Sequence, residues 1–163
     1  MIKVGIIGST GYAGGELARL LLQRDDIEIK WYGSRSYIGQ KYASLYPNMY
    51  KIVDEECMDD NMKELAGQVD VVFTATPQGL CASLVDEEIL SKVKIIDLSA
   101  DFRIKDVSVY EEWYKLTHAS PQFLEEAVYG LPEVNRERVK QARLIANPGL
   151  FPHLLLLIPY IPW

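Results

Sequence analysis

The chain has 163 residues, 48% hydrophobic and 25% charged, which suffices for one sizeable core and is too little for two ordinary domains. A formal charge of -6 and a pI near 5.0, with no cluster of Lys and Arg, exclude a nucleic-acid-binding surface and leave small molecules or protein as partners. Two cysteines, Cys57 and Cys81, with no CxxC pair and no His cluster, imply neither a disulfide framework nor a metal site. The first apolar run, residues 4–7, breaks at once into Gly8-Ser9-Thr10-Gly11. That is not a signal peptide, so the chain is expected to begin at Met1 and to be cytoplasmic, with no membrane association.

Residues 1–7 form an Ile/Val-rich run that stops at glycine, the pattern of a strand covered on both faces in a parallel sheet. Residues 12–23 set Ala13, Leu17, Leu20 and Leu21 at helical spacing and leave Glu16, Arg19 and Gln23 for the wet side, which predicts a helix. A strand over 27–32 alternates apolar and polar residues up to Gly33. From 34 to 61 Tyr, Gly and Pro are frequent, and no period emerges until a short apolar piece at 50–53. Regularity returns with a helix over 62–66 and a Val/Phe strand over 69–74. Pro77 suits the first turn of a helix running to about residue 90, with Thr76 as its N-cap. An apolar strand over 93–98, a helix over 135–141 and a strand over 143–146 follow. Such alternation predicts an α/β fold, a doubly wound parallel sheet of the Rossmann type with helices on both faces.

Gly8, Gly11 and Gly14 make a G-x-x-G-x-x-G turn directly after the first strand and opening the first helix. Without side chains, Gly8 and Gly11 let backbone approach a pyrophosphate, whose charge the helix N-terminus favours. Gly14 lets the helix pack closely on the strand. The spacing differs from G-x-G-x-x-G, so a merely structural tight turn is the competing reading, and the strand-to-helix context favours the phosphate site. At the end of the second strand NAD-binding domains carry an acidic residue about 20 residues on, for the ribose 2′-hydroxyl. Here Gly33-Ser34-Arg35-Ser36 stands instead. Hydroxyls and an arginine accept a 2′-phosphate that a carboxylate would repel, so NADP is preferred over NAD. The alternative for Arg35 is an ordinary solvated loop residue.

Several segments together resemble the N-acetyl-gamma-glutamyl-phosphate reductases, enzymes of arginine biosynthesis. They are the opening Val4-Gly5-Ile6-Ile7-Gly8-Ser9-Thr10-Gly11-Tyr12-Ala13-Gly14-Gly15-Glu16-Leu17, which aspartate-semialdehyde dehydrogenases largely share, then Ile96-Asp97-Leu98-Ser99-Ala100-Asp101-Phe102-Arg103, Ala127-Val128-Tyr129-Gly130-Leu131-Pro132-Glu133 with Trp113-Tyr114 upstream, and Asn147-Pro148-Gly149. The resemblance covers residues 1–149. It implies NADP lying along Gly8, Ser9, Thr10, Gly11, Tyr12, Ala13 and Gly14, with Ser34, Arg35 and Ser36 at the adenosine phosphate and Thr76 and Pro77 beyond the next strand. It also implies a small-molecule acyl-phosphate substrate and a homo-oligomer.

In the family a cysteine directly after Asn-Pro-Gly takes the acyl group, because a thiolate attacks near neutral pH and leaves a thioester that hydride can reduce. Here that position is Leu150, which is no nucleophile. Cys81, on the apolar face of a helix, and Cys57, in an acidic stretch that raises its pKa, are poor substitutes. His118, in a polar stretch, reads as a surface residue, and His153 is an equally weak base. Residues 150–163 are apolar and proline-rich, too short to span a bilayer and unsuited to a regular helix. Reading one base later, Leu150-Phe151-Pro152-His153 can become Cys-Phe-Pro-Thr, which resembles the family's continuation. The expectation is an NADP-binding domain over 1–149, a frameshifted tail over 150–163 and an absent second domain. Such a chain is inactive alone, and a non-enzymatic NADP-binding module or an aspartate-semialdehyde dehydrogenase relative are the alternatives.

Overall fold

The computed structural model describes residues 1–152. Residues 153–163, which include His153 and most of the expected tail, lie outside the described residues. In chain order the elements are β1 (Ile2–Ile7), α1 (Tyr12–Leu21), β2 (Ile27–Gly33), α2 (Tyr42–Leu45), β3 (Cys57–Met58), α3 (Met62–Leu65), β4 (Val71–Thr74), α4 (Leu80–Leu84), α5 (Glu87–Lys92), β5 (Lys94–Asp97), α6 (Val107–Tyr114), β6 (Val128–Tyr129), α7 (Pro132–Gln141) and β7 (Leu144–Ala146). The strands form one seven-stranded sheet in the order β3-β2-β1-β4-β5-β7-β6, with every adjacent pair parallel. This is the doubly wound α/β sheet that the alternation predicts.

Period-two alternation in β1 divides its side chains between two cores. Val4 and Ile6 pack with Ala18 and Leu21 of α1 and with Tyr32 and Tyr42, whereas Ile7 joins Leu65, Cys81, Ile89 and Phe102 on the side of α3, α4 and α5. The inward face of α1 differs from the sequence expectation: Gly14, Ala18 and Leu21 are buried, while Ala13 and Leu20 are exposed. Small residues at i and i+4 bring the helix backbone onto the sheet, and that contact, rather than the bulk of leucine, selects the face.

The helix expected from Pro77 to about residue 90 is two helices. Thr76 and Pro77 lie in irregular backbone before a turn at residues 78–79, α4 starts only at Leu80 after Gly79 in a left-handed conformation (φ +86°), and the chain leaves α4 at Val85 in extended backbone. Asp86 then caps α5 by accepting from Ile89 N at 2.8 Å. The sequence masks this break because Asp86 reads as a polar position within a helix and equally as an N-cap. At α7 the helix starts earlier than expected, with Pro132 in its first turn, and is irregular at Asn135 (φ -116°). Of the elements absent from the sequence expectation, α2, β3 and β6 are at most one turn or two residues long, and α6 (Val107–Tyr114) is longer.

Candidate functional site

The chain runs outward from β1 to β2 and β3, then returns to β4 on the other side of β1 and runs outward again through β5. The carboxyl ends of β1 and β4 therefore flank the switch point, where open α/β sheets bind ligands. One backbone bond continues the ladder beyond each strand end: Ser9 N to Gly33 O, Ala75 N to Ile7 O, Leu98 N to Thr74 O and Asn147 N to Asp97 O, all at 2.8–3.0 Å. With Ser34 N to Met58 O at 2.7 Å, these bonds align Ser34, Ser9, Ala75, Leu98 and Asn147 along one edge of the sheet.

Gly8 turns out of β1 at φ +77°, and a Cβ there would stand 2.4 Å from the Ala75 carbonyl oxygen. A Cβ on Gly14 would stand 2.2 Å from the Gly8 carbonyl oxygen. Both glycines are thus required by the close passage of strand, turn and helix. Gly11 is different, for its Cβ would meet nothing nearer than 3.5 Å. It caps α1 in extended backbone without a side-chain bond, and the first helical hydrogen bond is Gly15 N to Gly11 O. The N–H groups of Tyr12, Ala13 and Gly14 precede that bond and remain at the positive end of the helix.

Two tyrosines of the stretch without periodicity secure the other side of the turn. The buried Tyr42 hydroxyl donates to Ser9 O at 2.9 Å, and the Tyr46 hydroxyl lies 3.0 Å from Thr10 O and 3.1 Å from Gly11 O. The Tyr42 ring packs at a tilt against both Tyr46 and Tyr32, and Gly15 leaves room for Tyr46, whose ring would be 2.6 Å from a Cβ there. Three consecutive carbonyls, those of Ser9, Thr10 and Gly11, are therefore occupied from behind, while the amides of Tyr12, Ala13 and Gly14 have no partner among the described residues. Burial raises the pKa of both phenols, so they stay protonated donors. Sequence reasoning missed this pair, since α2 is one turn long and the partners lie more than thirty residues away.

At the end of β2, Ser34 is buried and its hydroxyl shares a 2.8 Å hydrogen bond with Thr10 Oγ1, so the two loops meet. Arg35 and Ser36 are exposed. Arg35 Nε donates to Asp60 Oδ2 at 2.9 Å, so a carboxylate absent from the carboxyl end of β2 arrives here from beyond β3. Thr76 Oγ1 is buried without a partner among the described residues, and Pro77 is exposed. Thr76 is consequently no N-cap, which corrects that reading.

Further along the edge lies a buried polar network. Asp97 accepts from Thr74 Oγ1 at 2.8 Å and from Ser99 N and Oγ, and burial raises its pKa. Asp101 accepts from Gly79 N, Ala82 N and the Tyr110 hydroxyl, so it supplies the cap that Thr76 does not. His118 is buried rather than exposed: its Nε2 lies 2.7 Å from Asp101 O, and its ring meets Phe102 and Tyr110 edge-on. The polar sequence around it conceals a position enclosed by α6. Cys81 is fully buried in α4 and Cys57 buried in β3; burial, not acidic neighbours, raises the Cys57 pKa. Arg103 ties β5 to the last loop through Nε to Asn147 O and Nη2 to Leu98 O, both 2.7 Å. Leu150 follows this loop and is exposed.

A family model described as semialdehyde dehydrogenase, NAD binding domain, matches residues 3–142. This chain belongs to the semialdehyde dehydrogenase family. The matched segment is the nicotinamide-dinucleotide-binding domain of that family and contains the glycine turn, β2 and the whole strand-end edge up to β5. The chain is similar to the N-acetyl-gamma-glutamyl-phosphate reductases of Lachnospira eligens, 67% identical over 98% of this chain and 46% of that protein, and Lachnoclostridium phytofermentans, 66% identical over the same shares. It spans about half the length of the curated relatives it matches. Among solved structures, an aspartate semialdehyde dehydrogenase with NADP from Candida albicans superposes with a TM-score of 0.68 at 17% identity, over 98% of this chain and 46% of that one, a likeness of fold.

Proposed function

We propose that the chain is the NADP-binding part of an N-acetyl-gamma-glutamyl-phosphate reductase. The observation that carries the substrate class is the 67% identity with the Lachnospira eligens reductase across nearly the whole chain. The site fits a dinucleotide phosphate: Tyr12, Ala13 and Gly14 offer free amides to the pyrophosphate, and Gly8, Ser9, Thr10 and Gly11 shape the turn. Ser34, Arg35 and Ser36 stand for the 2′-phosphate, with Thr76 and Pro77 on the far wall. When bound, NADPH supplies a hydride.

The reaction of the family requires a thiolate to displace phosphate from the acyl phosphate and then to leave as the thioester is reduced to the aldehyde. Leu150 stands at that position, so the 163-residue chain holds cofactor and transfers no acyl group. Its residence in the cytoplasm, a homo-oligomeric parent and an altered reading frame from residue 150 belong to the same proposal, and sequencing the gene tests the last. Mixing the chain with the acyl phosphate and NADPH is expected to leave the absorbance of NADPH unchanged. Turnover above the no-protein rate refutes the assignment of Leu150. A non-catalytic NADP-binding module is the second reading, favoured by the same leucine.

A further inference from the structure

The Asp60 side chain is 8% exposed, yet only one of its carboxylate oxygens is used. Oδ2 accepts from Arg35 Nε at 2.9 Å, and Oδ1 is buried with no partner among the described residues. A half-satisfied buried carboxylate is costly, and burial raises its pKa against the opposing pull of Arg35. Its location is nevertheless tightly determined. Ser34 N donates to Met58 O at 2.7 Å and Trp31 Nε1 to Asp59 O at 2.8 Å, so the backbone leading to Asp60 is bonded to β2 on either side of Gly33. Gly33 makes room for it: a Cβ there would be 3.0 Å from Asp60 Oδ1 and 2.9 Å from Ile6 O.

The ion pair is asymmetric in a way that matters for a ligand. Arg35 is held by Nε alone, and neither Nη1 nor Nη2 has a hydrogen-bond partner among the described residues. A guanidinium gripped on its Nε edge keeps its two terminal amino groups as a fork, the geometry that binds phosphate oxygens in two parallel bonds. The Ser34 hydroxyl lies beside this loop, already joined to Thr10 of the phosphate turn. Of the two Asp60 oxygens, Oδ1 is buried and Oδ2 is engaged by Arg35.

We propose that Asp60 is a positioning residue for cofactor choice: by holding Arg35 through Nε it pre-orients the free guanidinium fork toward a 2′-phosphate, and so favours NADP over NAD. This rests on the reading that Ser34, Arg35 and Ser36 meet the 2′-phosphate. Ordering a long, exposed side chain before binding removes an entropic cost from the bound state.

The test is a double-mutant cycle on the 163-residue chain, read as the dissociation constants of NADP and NAD by titration, with thermal melting of each variant as the control for folding. Arg35→Ala is expected to lower the preference for NADP over NAD. Asp60→Ala is expected to weaken NADP about fivefold to tenfold, the size of the cost of ordering one long side chain on binding, and to leave NAD unchanged. Asp60→Asn, which keeps an acceptor oxygen, should recover most of that loss, and in the Arg35→Ala background Asp60→Ala should have no further effect. If Arg35→Ala shifts the preference and Asp60→Ala does not, or tightens NADP, or weakens both cofactors equally, the role of Asp60 is overturned and the reading of Arg35 stands. If Arg35→Ala leaves the preference unchanged, both fall together. Should Asp60→Ala not fold, nitrogen-15 NMR of the wild-type chain decides: the Arg35 Nε–H is expected to remain protected as NADP saturates and the Nη protons shift, and loss of that protection overturns the proposal.

Discussion

Single positions explain why the glycine turn has its form. The three glycines are alike in the sequence, yet the structure separates them: a Cβ on Gly8 or Gly14 would stand 2.4 or 2.2 Å from a backbone oxygen, whereas one on Gly11 would make only an ordinary contact at 3.5 Å. Gly8→Ala is therefore expected to destabilise the chain by about 2 kcal/mol or more, from positive φ and the collision with Ala75 O together, and to abolish nucleotide binding. Gly11→Ala should be far milder; urea denaturation of the two variants checks the order. Tyr46→Phe removes the hydrogen bonds to Thr10 O and Gly11 O, for about 1 kcal/mol. It should weaken NADP several-fold while adenosine 2′,5′-bisphosphate, which lacks the pyrophosphate bridge, binds unchanged. Equal weakening of both ligands would show that the tyrosine acts on the fold as a whole. The glycines were legible because a strand stopping at a turn is a local pattern. Tyr42 and Tyr46 were not, because their carbonyl partners are distant in sequence and α2 is too short to show a period.

Helices and strands show a similar division. Strands β1, β4 and β5 and helix α1 follow from periodicity to within a few residues. The break between α4 and α5 was hidden because Asp86 reads equally as a helix-interior position and as the N-cap of α5, and the true start of α4 because its cap comes from elsewhere: Asp101 accepts from Gly79 N and Ala82 N with its two oxygens. The ends of β4 and β5 are likewise joined through buried side chains, Thr74 to Asp97. Burial holds the Asp97 pKa above its ordinary 3.8, with Asp101 adding to the rise and Ser99 and Thr74 opposing it. The folded state thus binds this proton more tightly than the unfolded chain. The stabilising contribution is full below the unfolded pKa and is lost as pH rises through the folded one. Asp97→Asn cannot titrate, so the stability of wild type relative to the variant should be greater near pH 4 than at pH 7, as read by urea melts. A relative stability that increases with pH would contradict the burial of this carboxylate.

Across the whole molecule, strand order converts a one-dimensional pattern into a site. Alternation of strands and helices was sufficient to foresee a doubly wound sheet, and the switch point beside β1 then places the glycine turn, Ser34 and Thr76 along the same edge. The inversion of β7 and β6 at the far end was not legible, because β6 has two residues and gains its position only by pairing with β7. Nor was Asp60, whose neighbourhood with Arg35 depends on β3 pairing beside β2. The family likeness covers this domain and about half the length of the reductases it matches, so cofactor binding is the property this chain itself can display. Titration of the 163-residue chain with NADP and with NAD under identical salt examines that property. The account predicts saturable one-to-one binding with NADP at least about tenfold tighter, the worth of one bidentate arginine–phosphate contact; binding of neither cofactor, or of NAD as tightly as NADP, would contradict it.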